Sequence, residues 1–157
     1  MRILGIDFGG NRTGIAISDP MGWMAQGLEV VSGGMKAAAA RITQIVSQYG
    51  AKKVVVGYPI NMDGTSGFMA ERADDFIAIL KDHLGDGTVE IIRWDERLTS
   101  VEASRMMRAS GEKPSSRATR EKGRLDIVAA AILLQSYLDS MKRTDDGFSE
   151  GEQRERQ

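Results

Sequence analysis

The chain has 157 residues, one histidine, no cysteine and a formal net charge of −1. This length suits one domain around a single core, and the lack of cysteine excludes a disulfide framework and a thiolate metal site. Any metal must be held mainly by carboxylates, which favours Mg²⁺ or Mn²⁺. No apolar run is long enough to span a bilayer and no leader-like segment opens the chain, so we expect a cytoplasmic protein.

The hydrophobic pattern predicts strands and helices that alternate along one domain. The expected strands cover residues 2–7, 15–18, 28–31, 53–57 and 89–94, with a glycine-rich turn at 9–14. The expected helices cover residues 35–49, 68–84, 99 to about 109, and about 118–141. This order predicts an α/β fold with a mixed five-stranded sheet, in which an antiparallel three-strand meander joins parallel strands and helices cover both faces.

Charge is unevenly distributed along the chain. Residues 93–124 carry nine basic and five acidic side chains, whereas residues 144–157 carry five acids and two arginines. The basic segment is typical of a surface that binds nucleic acid, with Arg97, Arg120 and Lys122 as candidate substrate contacts, although a solvated helix face has the same composition. We expect residues 1–143 to form the single domain and residues 144–157 to form a disordered acidic tail.

Acidic residues stand at three places where a charge is unexpected. Asp7 ends the first buried strand, Glu96 follows Asp95 at the end of another strand, and Asp126 is the only charge in LDIVAAAILL. Each has an ordinary alternative role. Asp7 could accept hydrogen bonds from its own turn, Asp95 or Glu96 could pair with a neighbouring arginine, and Asp126 could cap the last helix.

Taken together, the three carboxylates predict a catalytic site. The carboxyl ends of strands meet at one edge of such a sheet, where the acids would converge. Acids this close repel one another, and two divalent ions about 3.5–4 Å apart would cancel that repulsion and clamp an in-line phosphoryl displacement. Gly9 and Gly10 would then let a phosphate backbone approach the main chain beside Asp7.

Four segments carry a family resemblance: GIDFGGNRTGIAISD, VVVGYPINMDGTSG, DERLTSVEA and GRLDIVAAAILLQSYLD. They resemble the YqgF family, also called RuvX, of the RNase H-like superfamily. The resemblance implies a ribonuclease H-like fold and a metal-dependent nuclease with Asp7, Glu96 and Asp126 as catalytic metal ligands, Asp95 being an alternative to Glu96. Members are described as nucleases that mature the 5′ end of pre-16S rRNA and as Holliday junction resolvases. We expect the rRNA activity, with a junction resolvase or a binding module of weak or lost catalysis as the alternatives.

The substrate contacts are predicted from two loops. Arg12 is retained from the family pattern and is a candidate phosphate contact, whereas Asn11 replaces an expected lysine and Thr13 an expected isoleucine. The loop NMDGT offers Asn61, Asp63 and Thr65 at the rim of the site, although an ordinary Asp-Gly turn has the same composition. Structured RNA and branched DNA both remain open as partners, as do a monomer and a homodimer.

Overall fold

A computed structural model describes residues 1–59, 68–85, 87–95 and 116–155, and the side chains of 1–59, 70–85, 87–95 and 123–144. This part of the chain forms five strands and three helices. The strands are β1 Ile3–Phe8, β2 Arg12–Ser18, β3 Ala25–Ser32, β4 Lys53–Tyr58 and β5 Glu90–Asp95. The helices are α1 Gly34–Tyr49, α2 Phe68–Leu84 and α3 Ser116–Glu155.

The strands form one mixed sheet in the order β3-β2-β1-β4-β5. β1 pairs antiparallel with β2 and β2 antiparallel with β3, whereas β4 lies parallel to both β1 and β5. The predicted fold class is therefore confirmed. β1 is the central strand, and all six of its residues are buried. A charge at its carboxyl end is consequently held against the core rather than in solvent.

The two faces of the sheet are covered by different helices. One face packs its large side chains, such as Leu4, Ile6 and Phe8, into a core that also contains residues of α1 and α2. The Phe8 and Phe76 rings stack there with their centroids 4.6 Å apart. The other face lies against α3, where a Cβ added at Gly5 would stand 2.6 Å from the Leu134 Cβ. The missing side chain therefore lets α3 lie close to the middle of the sheet.

The β2 and β3 strands are both longer than their apolar patterns predict. β2 begins at Arg12 and β3 at Ala25. The pairing is irregular between Ile15 and Ala16, where a bulge interrupts the simple alternation. The β2–β3 turn is closed by Asp19, whose Oδ1 accepts hydrogen bonds from the amides of Trp23 at 2.7 Å and Met24 at 3.2 Å.

The last helix contains the helix predicted over about 118–141 and extends beyond it at both ends. α3 runs without interruption through Gly123, so Asp126 lies inside the helix and the alternative of a helix cap at Asp126 is wrong. Its backbone stays helical to Glu155, while the division at residue 143 stays a prediction. The expected helix at 99–109 lies outside the described residues. None of the helices described is both long enough and apolar enough to cross a membrane.

Candidate active site

Asp7 faces α3 from the carboxyl end of the central strand. Ile3 packs with α3 residues, and Gly5 faces Ala130 and Leu134 of that helix. Side chains alternate along a strand, so Asp7 points to the same face as Ile3 and Gly5. The residue is only 2% exposed. β1 therefore delivers a buried carboxylate between the sheet and α3.

Asp126 arrives at the same place from α3. Its backbone lies close to Gly14, because a Cβ added at Gly14 would overlap the carbonyl oxygen of Asp126. Gly14 is also the residue of β2 that pairs with Asp7. Asp126 is 6% exposed. Two acidic residues that are far apart in the sequence thus both lie next to Gly14 on the α3 face of the sheet.

Arg12 supplies a positive charge to this buried acidic pair. It is the first residue of β2, and its Nε lies 3.4 Å from Oδ2 of Asp126. A buried carboxylate requires such compensation, because removal from water disfavours its charged form. Arg12 was predicted to contact substrate phosphate, and the structure places it against Asp126.

The structure describes one of the two adjacent acids that the sequence left as alternatives, at the end of β5. Asp95 pairs in parallel register with Tyr58, whose Oη donates a 3.0 Å hydrogen bond to Asp74 on α2. Register partners in parallel strands share a face, so Asp95 points toward α2 and away from Asp7. The next residue, Glu96, lies outside the described residues.

A small polar cluster fixes the α2 side of this edge. Arg93 on β5 forms a 3.2 Å ion pair with Asp74, and its guanidinium lies 5.7 Å from the centroid of the Tyr58 ring. Burial raises the pKa of Tyr58, and the hydrogen bond to Asp74 raises it further. Tyr58 therefore remains a neutral hydrogen-bond donor in the alkaline range where an exposed tyrosine ionises. These contacts tie β4 and β5 to α2 directly before residue 96.

The turn between β1 and β2 brings in a residue that sequence reasoning missed. The Gly9 amide donates a 3.0 Å hydrogen bond to the carbonyl of Arg12, and Gly10 has a φ of 85°, a conformation that glycine adopts readily. A Cβ added at Gly10 would stand 3.1 Å from a guanidinium nitrogen of Arg72. Arg72 precedes Phe76 by one helical turn, and Phe76 stacks on Phe8 at the end of β1. The four-residue spacing between Arg72 and the apolar Phe76 was the signal available in the sequence.

Several predicted substrate contacts fall outside what the structure describes. They are Asn61, Asp63, Thr65 and Arg97. Arg120 and Lys122 are described as backbone only, in the amino-terminal part of α3 before Asp126. At 1.5 Å of rise per residue they stand about 6–9 Å along the helix from Asp126. Their backbone position is compatible with the predicted basic approach to the site.

The donor set of this edge suits a hard cation. Asp7 and Asp126 offer oxygen ligands only, which are the ligands of Mg²⁺ and Mn²⁺. Within the part of the chain that the structure describes, no three acidic or histidine side chains gather into a metal-binding group. The predicted third ligand, Glu96, belongs to the segment beyond that part. Asp7 and Asp126 therefore fit two positions of the predicted metal site.

Comparison with known proteins places the chain in a family. A family model described as "RuvX: Holliday junction resolvase" matches residues 1–140. A protein of Ruminiclostridium cellulolyticum, named "Putative pre-16S rRNA nuclease", is 48% identical over 141 residues, which are 88% of this chain and 94% of the relative. A protein of the same name from Acetivibrio thermocellus is 47% identical over 142 residues, or 89% of this chain and 96% of that relative.

The fold has relatives among solved structures. The structure of Thermus thermophilus RuvC has a TM-score of 0.57 with 16% identity, over 92% of this chain and 98% of that one. The fowlpox virus resolvase with Holliday junction DNA has a TM-score of 0.52 with 14% identity, over 90% and 99% of the two chains. At these identities the likeness concerns the fold alone, which is the RNase H-like fold predicted from the sequence.

The RNase H-like sheet, the buried carboxylates at its edge and the names of the relatives together define the class of the protein. It is a nuclease, a hydrolase that acts on the phosphodiester bonds of nucleic acid. The chain belongs to the RuvX family, whose model matches it from residue 1 to residue 140.

Proposed function

We propose that this nuclease processes the 5′ end of precursor 16S rRNA. Its active site would lie at the edge of the sheet where Asp7 and Asp126 are found. The convergence of these two buried carboxylates on one face is the observation that carries the proposal. The shared name of the most similar relatives supports an rRNA substrate over branched DNA. We place this activity in the cytoplasm, where precursor rRNA is found.

The metal site would be formed by Asp7, Asp126 and Glu96, with Mg²⁺ or Mn²⁺ and two ions as the expected occupancy. Bound there, divalent ions supply a nucleophile at neutral pH and stabilise the charge that develops on the phosphate. Asp7 and Asp126 hold their carboxylates in a fixed relation because both are buried between the sheet and α3. Asp95 is the weaker alternative to Glu96, since its register partner Tyr58 faces α2.

The substrate backbone would lie along the β1–β2 turn. Gly9 leaves the main chain accessible there, whereas Gly10 is buried beside Arg72. Arg12 and Arg72 stand on either side of the turn as cations for phosphate oxygens. The basic residues Arg120 and Lys122 on α3 would contact phosphates farther from the cleavage site. Binding is then dominated by phosphate contacts and by the shape of the RNA.

The test is a cleavage assay on a precursor rRNA carrying its 5′ extension, with a four-way DNA junction offered in parallel. With Mg²⁺ or Mn²⁺, we expect cleavage of the RNA at the extension and weaker or no resolution of the junction. D7N and D126N should each lower the rate on the order of 10³-fold, because each removes a metal ligand worth several kcal/mol.

The matched control is D82N, since Asp82 is an exposed acid on α2. It should cleave at the wild-type rate. Cleavage that persists in chelator, or that survives D7N, would contradict the metal mechanism. Faster resolution of the junction than of the RNA would contradict the proposed substrate while leaving the site intact.

A further inference from the structure

We propose that Arg12 is a built-in counter-ion of the metal site, which pairs with Asp126 when no divalent ion is bound and turns to substrate phosphate when one is. The inference rests on the proposed function, because it requires a metal ion at Asp126. It assigns to Arg12 a positioning role that couples two binding events at one site.

The geometry of the pair gives Arg12 access to both partners. Its Nε lies 3.4 Å from Oδ2 of Asp126, and the two side chains are 29% and 9% exposed. The carboxylate is thus enclosed, whereas the arginine keeps about a third of its surface in solvent. Arg12 also follows the β1–β2 turn along which the substrate backbone would lie. The same guanidinium therefore stands between the buried acid and the approach of an anionic ligand.

The two members of the pair are anchored differently. The backbone of Asp126 rests against Gly14, and the helix around it continues in both directions. Arg12 is the first residue of its strand and has a long, rotatable side chain. A divalent ion at Asp126 would repel a guanidinium at this distance through a partly desolvated site. The arginine consequently swings outward, toward the phosphate that the same ion attracts.

This exchange makes metal and substrate binding cooperative. The metal ion displaces a cation that then becomes available to the RNA, so metal should raise RNA affinity. By linkage, RNA must raise metal affinity by the same factor. The ion itself also attracts phosphate, so the part of the coupling that is lost when Arg12 is made neutral is the part that this exchange supplies. An arginine that contacted phosphate without competing at Asp126 would leave the metal affinity of the RNA-free protein unchanged on substitution.

The experiment is calorimetric titration of Mn²⁺ into the full chain without RNA. We expect R12Q to bind Mn²⁺ on the order of tenfold more tightly than wild type, because a competing positive charge has been removed. R12M, which keeps the apolar stem of the side chain, should behave in the same way. R12K should stay near wild type. The control K53Q removes a surface cation that lies 4.0 Å from Glu90 and should leave the affinity unchanged.

A second measurement tests the coupling. Gel shifts with a precursor RNA whose cleavage site is phosphorothioate-linked, with and without Mn²⁺, should show a metal-dependent gain in affinity in wild type. This gain should shrink in R12Q and R12M. If one neutral variant does not fold, as judged by circular dichroism, the other decides.

The two hypotheses fail in different ways. If D126N lowers Mn²⁺ affinity but R12Q and R12M leave it unchanged or lower it, the counter-ion role of Arg12 is wrong and the proposed metal site stands. If D126N binds Mn²⁺ as tightly as wild type, the proposed metal site is wrong, and the role of Arg12 is wrong with it.

Discussion

The two faces of the sheet are packed in different ways. The face toward α1 and α2 is filled with large side chains such as Ile42, Phe76 and Leu80, none of which reaches 1% exposure. On the face toward α3, Gly5 and Gly14 have no side chains, so atoms of the helix lie close to the strands there. The first face supplies apolar burial, which is the main favourable term in folding. The second also buries apolar residues, but its glycines let a helix lie close enough to bring a carboxylate to the end of β1.

This difference implies that the two faces should respond to mutation in opposite ways. Removing atoms should damage the α1/α2 face, where a cavity costs stability. Adding atoms should damage the α3 face, where no space is available. Mutations on the α1/α2 face are thus expected to lower mainly the stability, and mutations on the α3 face are expected to lower mainly the cleavage rate.

Among changes in the packing of the two faces, the largest effect is expected from G14A. The added methyl group would overlap the carbonyl of Asp126, so α3 must shift and the two carboxylates must part. A displacement of about 1 Å at a catalytic group costs on the order of a hundredfold in rate. We therefore expect cleavage to fall by at least about this factor, together with a lower melting temperature. The measurements are single-turnover cleavage and thermal unfolding.

The matched control is G123A, in the same helix. Among the residues that the structure describes, nothing lies within 4 Å of a Cβ added at Gly123, and alanine favours a helix over glycine by about 0.5–1 kcal/mol. This variant should cleave normally and unfold at a slightly higher temperature. Equal activity in G14A and G123A would contradict the view that the α3 face is sterically closed.

The α1/α2 face is tested by L80A. Leu80 is fully buried, and truncation of such a leucine costs about 2–5 kcal/mol of unfolding free energy. Below its melting temperature the variant should cleave at the wild-type rate, because Leu80 lies on the face opposite to Asp7. Urea unfolding and initial cleavage rates measure the two quantities. A loss of rate at full folding would show that the faces are not independent.

The basic segment before Asp126 sharpens the functional side of the comparison. The double variant R120Q/K122Q should weaken RNA binding and reduce its salt dependence, with the log–log slope falling by about 0.7 to 0.9 for each phosphate that is no longer neutralised. The cleavage rate at saturating RNA should not change, because these residues do not hold the metal. Gel shifts across a salt series give the slope. An unchanged slope would exclude both residues from the interface.

The smallest effect is expected at the β2–β3 turn, far from the site. Hydrogen bonds from the Met24 and Trp23 amides lower the pKa of Asp19 below its ordinary 3.8. A carboxylate with a depressed pKa stabilises the fold above its ordinary value, and this contribution is lost as the pH falls through the folded-state pKa. D19N should therefore be slightly less stable than wild type near neutral pH and should lose less stability below pH 3.8. Thermal melts across pH measure both differences.

The sequence was sufficient for the architecture because the apolar patterns are strong. The run KVVVG marks a strand buried on both faces, and helix α2 has the predicted limits Phe68–Leu84. The full lengths of β2 and β3 could not be predicted from the sequence, because polar turn residues and a bulge at Ile15/Ala16 interrupt the alternation of apolar and polar residues. The helix predicted over about 118–141 is confirmed, and α3 passes through Gly123 because the helix-breaking propensity of glycine is weaker than packing against the sheet.

The candidate site was predictable in its residue types but not in its contacts. Asp7 and Asp126 were identifiable because each is a charge in an apolar run, and both face the gap between the sheet and α3. The ion pair between Arg12 and Asp126 depends on how the helix crosses β2, which no local pattern encodes. The four-residue spacing of Arg72 from Phe76 was visible in the sequence, but the approach of Arg72 to Gly10 depends on how α2 packs against the end of β1.

The close approach of α3 to the sheet also determines where the chain tolerates changes of length. Gly14 lies under Asp126, Gly27 under Ile127 and Gly5 under Leu134, so the helix cannot slide along the sheet. One residue inserted between Ile127 and Leu134 would rotate Asp126 by about 100° relative to the downstream contacts. An insertion ahead of Gly123 would leave all three contacts in phase. Insertions should therefore be accepted ahead of Gly123 and rejected between Ile127 and Leu134.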